Sequence, residues 1–143
     1  MRRLTGALAA ALVSLAAGAA SAAPALEIRD AVVRVVVVPE ARSDIRVDVV
    51  KANPALPLRV WTFMGRTYVE GTLRSRPHRC GGTAADPVAY VAGMGQVSAD
   101  AMPQIVVHMP MAVRVSAGGP VWGQVGRSGS LELASAGCGV WQA

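Results

Sequence analysis

From residue 23 onward the sequence has no stretch with the i, i+3, i+4, i+7 apolar spacing of an amphipathic helix; period two appears almost everywhere. It also lacks an apolar run long enough to span a bilayer, because Arg34 interrupts the run from Val32 to Val38. Lysine is nearly missing, with Lys51 alone, and the arginines of the first half alternate with acids, as in Glu27/Arg29 and Asp44/Arg46/Asp48. That alternation describes a solvated strand face, so no nucleic-acid partner is expected despite the net charge of +5. Motifs for cofactors and nucleophiles are missing too. Gly93-Met94-Gly95 has neither the third glycine nor the following helix of a dinucleotide loop. Gly126-Arg127-Ser128-Gly129-Ser130 breaks the G-x-S-x-G order at its last position. No cofactor and no metal are expected.

What is present begins with an address. Met1-Arg2-Arg3 is basic, Leu4 to Ala17 is apolar and uncharged, and Ala20-Ser21-Ala22 offers small residues where a signal peptidase reads. This order predicts a secretory signal over 1–22 and a single β-rich domain over 23–143. The apolar stretch is too short for a transmembrane anchor, and no cysteine near the cleavage point suggests a lipid anchor. The expected location is the periplasm or cell surface of a bacterium, with no membrane-spanning segment after signal removal. Without Arg2 and Arg3 the charge falls to +3, with twelve basic residues against nine acidic. The two cysteines, Cys80 and Cys138, would form one disulfide in an oxidising compartment; two buried free thiols are the alternative.

Within the domain, 23–80 reads as alternating strands and a hairpin, and 81–143 as Gly-rich repeat coils. Leu26 and Ile28 alternate with Glu27 and Arg29; the phase slips at Asp30, and Val33, Val35 and Val37 continue, which predicts a bulge or bend. Ile45 to Val49 is a clean in/out strand. Leu58–Phe63 and Thr67–Leu73 form a hairpin closed at Met64-Gly65-Arg66. Arg74 to Pro87 reads as an irregular basic loop. Further on, Ser116-Ala117-Gly118-Gly119-Pro120-Val121-Trp122 recurs nineteen residues later as Ser135-Ala136-Gly137-Cys138-Gly139-Val140-Trp141. Each copy follows a strand, Val113–Val115 or Leu131–Leu133, and a fainter copy over Ala92–Val97 contains Gly93 and Gly95. Strands separated by glycine corners at a near-constant period predict an all-β fold of the β-solenoid type, with Gly93, Gly95, Gly118, Gly119, Gly137 and Gly139 at corners. A β-sandwich with Gly-rich turns is the alternative. On the solenoid reading Trp122 stacks over Trp141 with a packing role, a carbohydrate platform being the sharper use of the pair.

The repeated SAGG- and AGCG-like corners, each after a strand in an exported β-rich chain, resemble the head GIN domain family over Val88 to Trp141. Its members are labelled auto-transporter adhesins. The resemblance implies a β-helix-like fold and a surface or adhesive role, and it carries no catalytic residues. Members usually run through more coils, so this chain is either a truncated member or one whose uncapped final edge meets a partner, a second copy of itself included.

His78-Arg79-Cys80-Gly81 has the residue types of a nucleophile loop. A thiolate beside His and Arg is a workable nucleophile, and the loop is faintly similar to the Ser-His-Gly-Cys-x-Arg motif of L,D-transpeptidases. Arg79 replaces its glycine, Gly82 its closing arginine, and no His-Gly lies upstream. His78, Cys80, His108 and Cys138 are residue types for a zinc site, but their spacing matches no structural motif. The expected function is a non-catalytic exported module for adhesion or contact with an envelope component. A cell-wall-modifying enzyme with Cys80 as nucleophile is the alternative.

Overall fold

A computed structural model describes residues 23–143; the expected signal segment lies outside them. Among the described residues there are thirteen strands and one 3-10 turn, Ala99–Ala101. The strands are β1 (Ala25–Arg29), β2 (Val33–Glu40), β3 (Arg46–Lys51), β4 (Arg59–Phe63), β5 (Arg66–Glu70), β6 (His78–Gly82) and β7 (Pro87–Val91). They continue as β8 (Gly95–Ser98), β9 (Gln104–Pro110), β10 (Ala112–Ala117), β11 (Val121–Val125), β12 (Ser130–Ser135) and β13 (Trp141–Gln142).

Three sheets result. The first has the order β12-β10-β1-β5-β4, the second β13-β11-β2-β9-β3, and the third β6-β7-β8. In the first two sheets neighbours pair in parallel except at one edge, where β4 and β3 run antiparallel to β5 and β9. The third sheet is antiparallel throughout. The fold is therefore all-β with open sheets of mixed pairing.

Alternation along each strand builds the core. Leu26 and Ile28 of β1, Val69 of β5, and Val113 and Val115 of β10 pack against Val33, Val35 and Val37 of β2 and Ile105, Val107 and Met109 of β9. The first two sheets thus face each other across one apolar layer, which burial of β-branched and branched-chain residues stabilises. A second cluster, Val32, Leu56, Leu73, Ala89, Val91, Val97, Met102 and Trp122, joins the third sheet to this body.

The phase slip at Asp30 is where the chain leaves the first sheet for the second. Asp30 has φ 49°, and the chain re-enters a strand at Val33. The same passage is made at Gly118-Gly119-Pro120, from β10 to β11, and at Ala136 to Val140, from β12 to β13. These corners are hydrogen-bonded to one another. Gly118 N–H donates to Ile28 O at 2.8 Å and Ala136 N–H to Ala117 O at 2.9 Å. Contact is close enough that a Cβ on Gly137 would strike the Gly119 backbone, and one on Gly139, at φ 115°, the Val121 carbonyl.

Several expectations change here. Gly93 and Gly95, with φ 83° and 78°, sit in the tight turn between antiparallel β7 and β8, so the fainter repeat copy is a hairpin. The segment read as an irregular basic loop contains β6, which pairs with β7. The β4–β5 hairpin turns on Met64-Gly65 alone, both at positive φ, as the twist-compatible two-residue turn requires. Trp122 does not stack over Trp141. Strands β10 and β12 pair Val113 with Leu131 and Ser116 with Ala134, an offset of eighteen, and β11 and β13 pair Gly123 with Trp141 at the same offset. The ladder follows the strands, whose apolar residues recur every eighteen, while the corner motif recurs every nineteen. One residue of slip reverses the side-chain direction. Trp122 therefore joins the cluster beneath the third sheet, whereas Trp141 packs against the main core with its ring over Gly123.

Candidate functional site

The outward face of the first sheet is the best-built polar surface. With Leu26, Ile28, Thr67, Val69, Val113 and Val115 turned inward, alternation sends Ala25, Glu27, Arg29, Arg66, Tyr68, Arg114 and Ser116 outward. Register then assembles rows across the strands. Trp61 of β4 lies opposite Tyr68 of β5, which lies opposite Glu27 of β1 and so in line with Ser116 of β10. A second row holds Arg66 and Ala25, with Arg114 and Glu132 continuing it one step before the Leu26–Val115 pair.

Side chains on this face are locked to one another. Trp61 and Tyr68 stack with ring centroids 4.0 Å apart and planes at 15°. The Arg29 guanidinium lies 4.5 Å from the Tyr68 ring centre, and that of Arg59 lies 5.9 Å from Trp61. This gives a ladder of cation, two rings and cation. Arg29 Nε donates to Glu27 Oε1 at 2.6 Å and Arg66 Nη1 to Glu27 Oε2 at 2.9 Å. The hydrogen bond from Arg29, with a second from Arg66, holds the Glu27 carboxyl below its usual range against the opposing effect of burial. Arg114 Nε donates to Glu132 Oε2 at 2.8 Å. Between these groups lies a cleft of about 360 Å³, lined by Ala25, Arg66, Arg114, Ser116, Glu132 and Ala134 among others.

A second polar group crosses the outer side of the second sheet. His108 lies between two carboxylates, Nδ1 at 3.2 Å from Glu40 Oε1 and Nε2 at 3.4 Å from Asp48 Oδ2. The first approach is an ion-pair distance without hydrogen-bond alignment, since Nδ1 is buried with no hydrogen-bond partner. Arg42 donates to Glu40 at 2.7 Å and to Asp44 at 3.1 Å, lowering both acids.

Cys80 of β6 and Cys138 of the β12–β13 corner are joined, with Cα atoms 5.7 Å apart. The bond ties the third sheet to the last corner of the stack. In this state Cys80 carries no thiolate, and neither sulfur can ligate zinc as a thiolate. His78 is exposed, with Nδ1 at 3.0 Å from Arg76 O, and Arg79 lies over Tyr90 at 4.1 Å. His78 and His108 belong to different sheets. Among the described residues no group of three His, Cys, Asp or Glu side chains is arranged so that it could hold a metal ion. Gly118, Gly119, Gly137 and Gly139 lie together at the stacked corners, apart from the polar face.

In sequence Glu27 and Arg29 have the alternation of an ordinary solvated face, and no motif marks Trp61, Tyr68, Arg66, Arg114 or Glu132. Only the order of strands in the sheet brings these together, since Arg66 reaches Glu27 across 39 residues. No helix of the described residues is long and apolar enough to cross a membrane. No family model, no curated protein and no solved structure matches this chain.

Proposed function

We propose that the chain is an exported, non-catalytic binding module of the β-solenoid type, kin to the head GIN domain family, which contacts a component of the bacterial cell envelope or surface. The observation that carries the reading is the outward face of the first sheet. Its arginines, carboxylates and stacked Trp61–Tyr68 pair are fixed by mutual contacts on one mixed sheet, so a ligand meets a preorganised surface. The eighteen-residue register and the hydrogen-bonded corners support successive coils along one axis. The Cys80–Cys138 disulfide is compatible with an oxidising compartment and weighs against Cys80 as a nucleophile.

The test is retention of purified, fluorescently labelled protein on isolated bacterial envelopes. Saturable retention that falls at least fivefold in Trp61→Ala, with an unchanged far-UV dichroism spectrum, supports the reading. Retention indifferent to that substitution places contact elsewhere and contradicts it.

Self-association is a second reading, favoured by the β12/β13 edge. Leu131, Leu133 and Val140 are exposed there beside unpaired strand backbone. A sedimentation coefficient that rises with concentration and stays flat in Leu131→Glu would establish it; a concentration-independent monomer would exclude it.

A further inference from the structure

The geometry points to a binding site for a carboxylated sugar in the cleft between Arg66 and Arg114, with the carboxylate held between the two guanidinium groups. This deepens the proposed surface-binding function and rests on it.

Three observations converge. The first is spacing. Arg66 and Arg114 stand on β5 and β10, on either side of Ala25 of β1 in one row, so their Cα atoms are separated by two strand spacings, about 10 Å. Alanine puts nothing between them, and both arginines line the cleft, Arg66 held by Glu27 and Arg114 by Glu132 on the β12 side, so the two can grip one anionic group from either side. Second comes donor capacity. Arg66 uses Nη1 on Glu27, and Arg114 uses Nε on Glu132. Each guanidinium has five N–H donors, so both retain unused ones, while the carboxylates behind them fix their positions. The third is the rest of the lining, to which Ala25, Ser116 and Ala134 bring small side chains and Ser116 and Glu132 a hydroxyl and a carboxylate.

These features select a ligand class. With the partners of both arginines counted, Arg29, Arg66 and Arg114 against Glu27 and Glu132 leave one net positive charge, which matches a single carboxylate better than a doubly charged phosphate monoester. A carboxylate at the rim that can accept hydrogen bonds, and a hydroxyl that can do either, suit a body carrying several hydroxyl groups. At about 360 Å³ the cleft is at the small end of ligand sites and holds a short piece of a chain. An acidic polysaccharide built on uronate residues has this chemistry.

Isothermal titration of the purified protein with trigalacturonate, maltotriose and inorganic phosphate tests the site. Trigalacturonate is expected to bind in the sub-millimolar range and to weaken as salt is raised. Maltotriose and phosphate are expected to bind at least tenfold more weakly. Arg66→Gln and Arg114→Gln should each cost fivefold or more, and the double variant should lose measurable binding. Arg76→Gln, on a distant loop, should match the unaltered protein. Dichroism of the variants should be unchanged, because both arginines are exposed. Maltotriose binding as well as trigalacturonate, or trigalacturonate binding that survives the double variant, overturns the site while leaving envelope retention to stand. Phosphate binding equal to trigalacturonate overturns the carboxylated-sugar assignment, and no detectable trigalacturonate binding overturns the site itself.

Discussion

The β10–β11 and β12–β13 passages share one sequence pattern and differ in burial. In β10 Val113 is fully buried and Val115 is 4% exposed, whereas their partners in β12, Leu131 and Leu133, are each 37% exposed. The pattern of apolar residue, polar residue, apolar residue, then glycine corner specifies the strand and the turn. It does not specify depth. A neighbour on both sides buries β10; β12 has one on a single side. Burial in a stacked sheet depends on position in the strand order, which a local pattern does not encode.

That contrast can be broken or sharpened by experiment. The largest effect belongs to the Cys80–Cys138 bond, which holds the exposed copy's corner to the third sheet across 58 residues. Cys138→Ser should cost about 4 kcal/mol by the chain-entropy argument and lower the melting temperature on the order of 10 °C or more, read by scanning calorimetry. A loss below about 1 kcal/mol would mean that the last passage contributes little to the fold.

Next in size is a matched pair. Val115→Ala removes two methyl groups from a filled layer and should cost about 2 kcal/mol in urea unfolding. Leu133→Ala removes a larger group but from a partly solvated site, and should cost under about 1 kcal/mol. Equal costs would erase the difference between the two passages, or show the edge covered in solution.

A smaller effect lies on the outward face. Because Arg29 and Arg66 depress the Glu27 carboxyl, its contribution to stability is fully present above the unfolded value of about 4.3 and is lost as pH falls through the lower folded value. Stability measured from pH 5 downward should therefore decline less in Glu27→Gln than in the unaltered protein. Parallel curves would show that the two arginines do not favour the carboxylate in the folded state.

Much of the strand content was legible in the sequence. Alternation at Leu26–Arg29, at Val33–Val37 and at Val113–Val115 marks strands because one face of each meets an apolar layer. The disulfide followed from two cysteines in a chain whose sequence predicts an oxidising compartment. Other features were not legible. The slip at Asp30 is a passage between sheets, and period-two counting cannot tell that from a bulge. β6 was hidden because His78 to Gly82 has little apolar content: it is a strand through its ladder with β7. The glycine, serine and tryptophan of the corners recur at nineteen residues, while the eighteen-residue spacing of Val113 and Leu131 governs pairing. As for the candidate site, its residues come from β1, β5, β10 and β12, and only the non-sequential order of those strands makes them neighbours.

Register is the claim on which the stacked passages and the separated tryptophans both depend, and a two-dimensional NOE spectrum reads it directly. Pairing at eighteen residues places the Trp141 ring over Gly123, so cross-peaks from the Gly123 α-protons to the Trp141 ring protons are expected, with those α-protons shifted upfield by the ring current. Cross-peaks between the indole rings of Trp122 and Trp141, without any to Gly123, would contradict it.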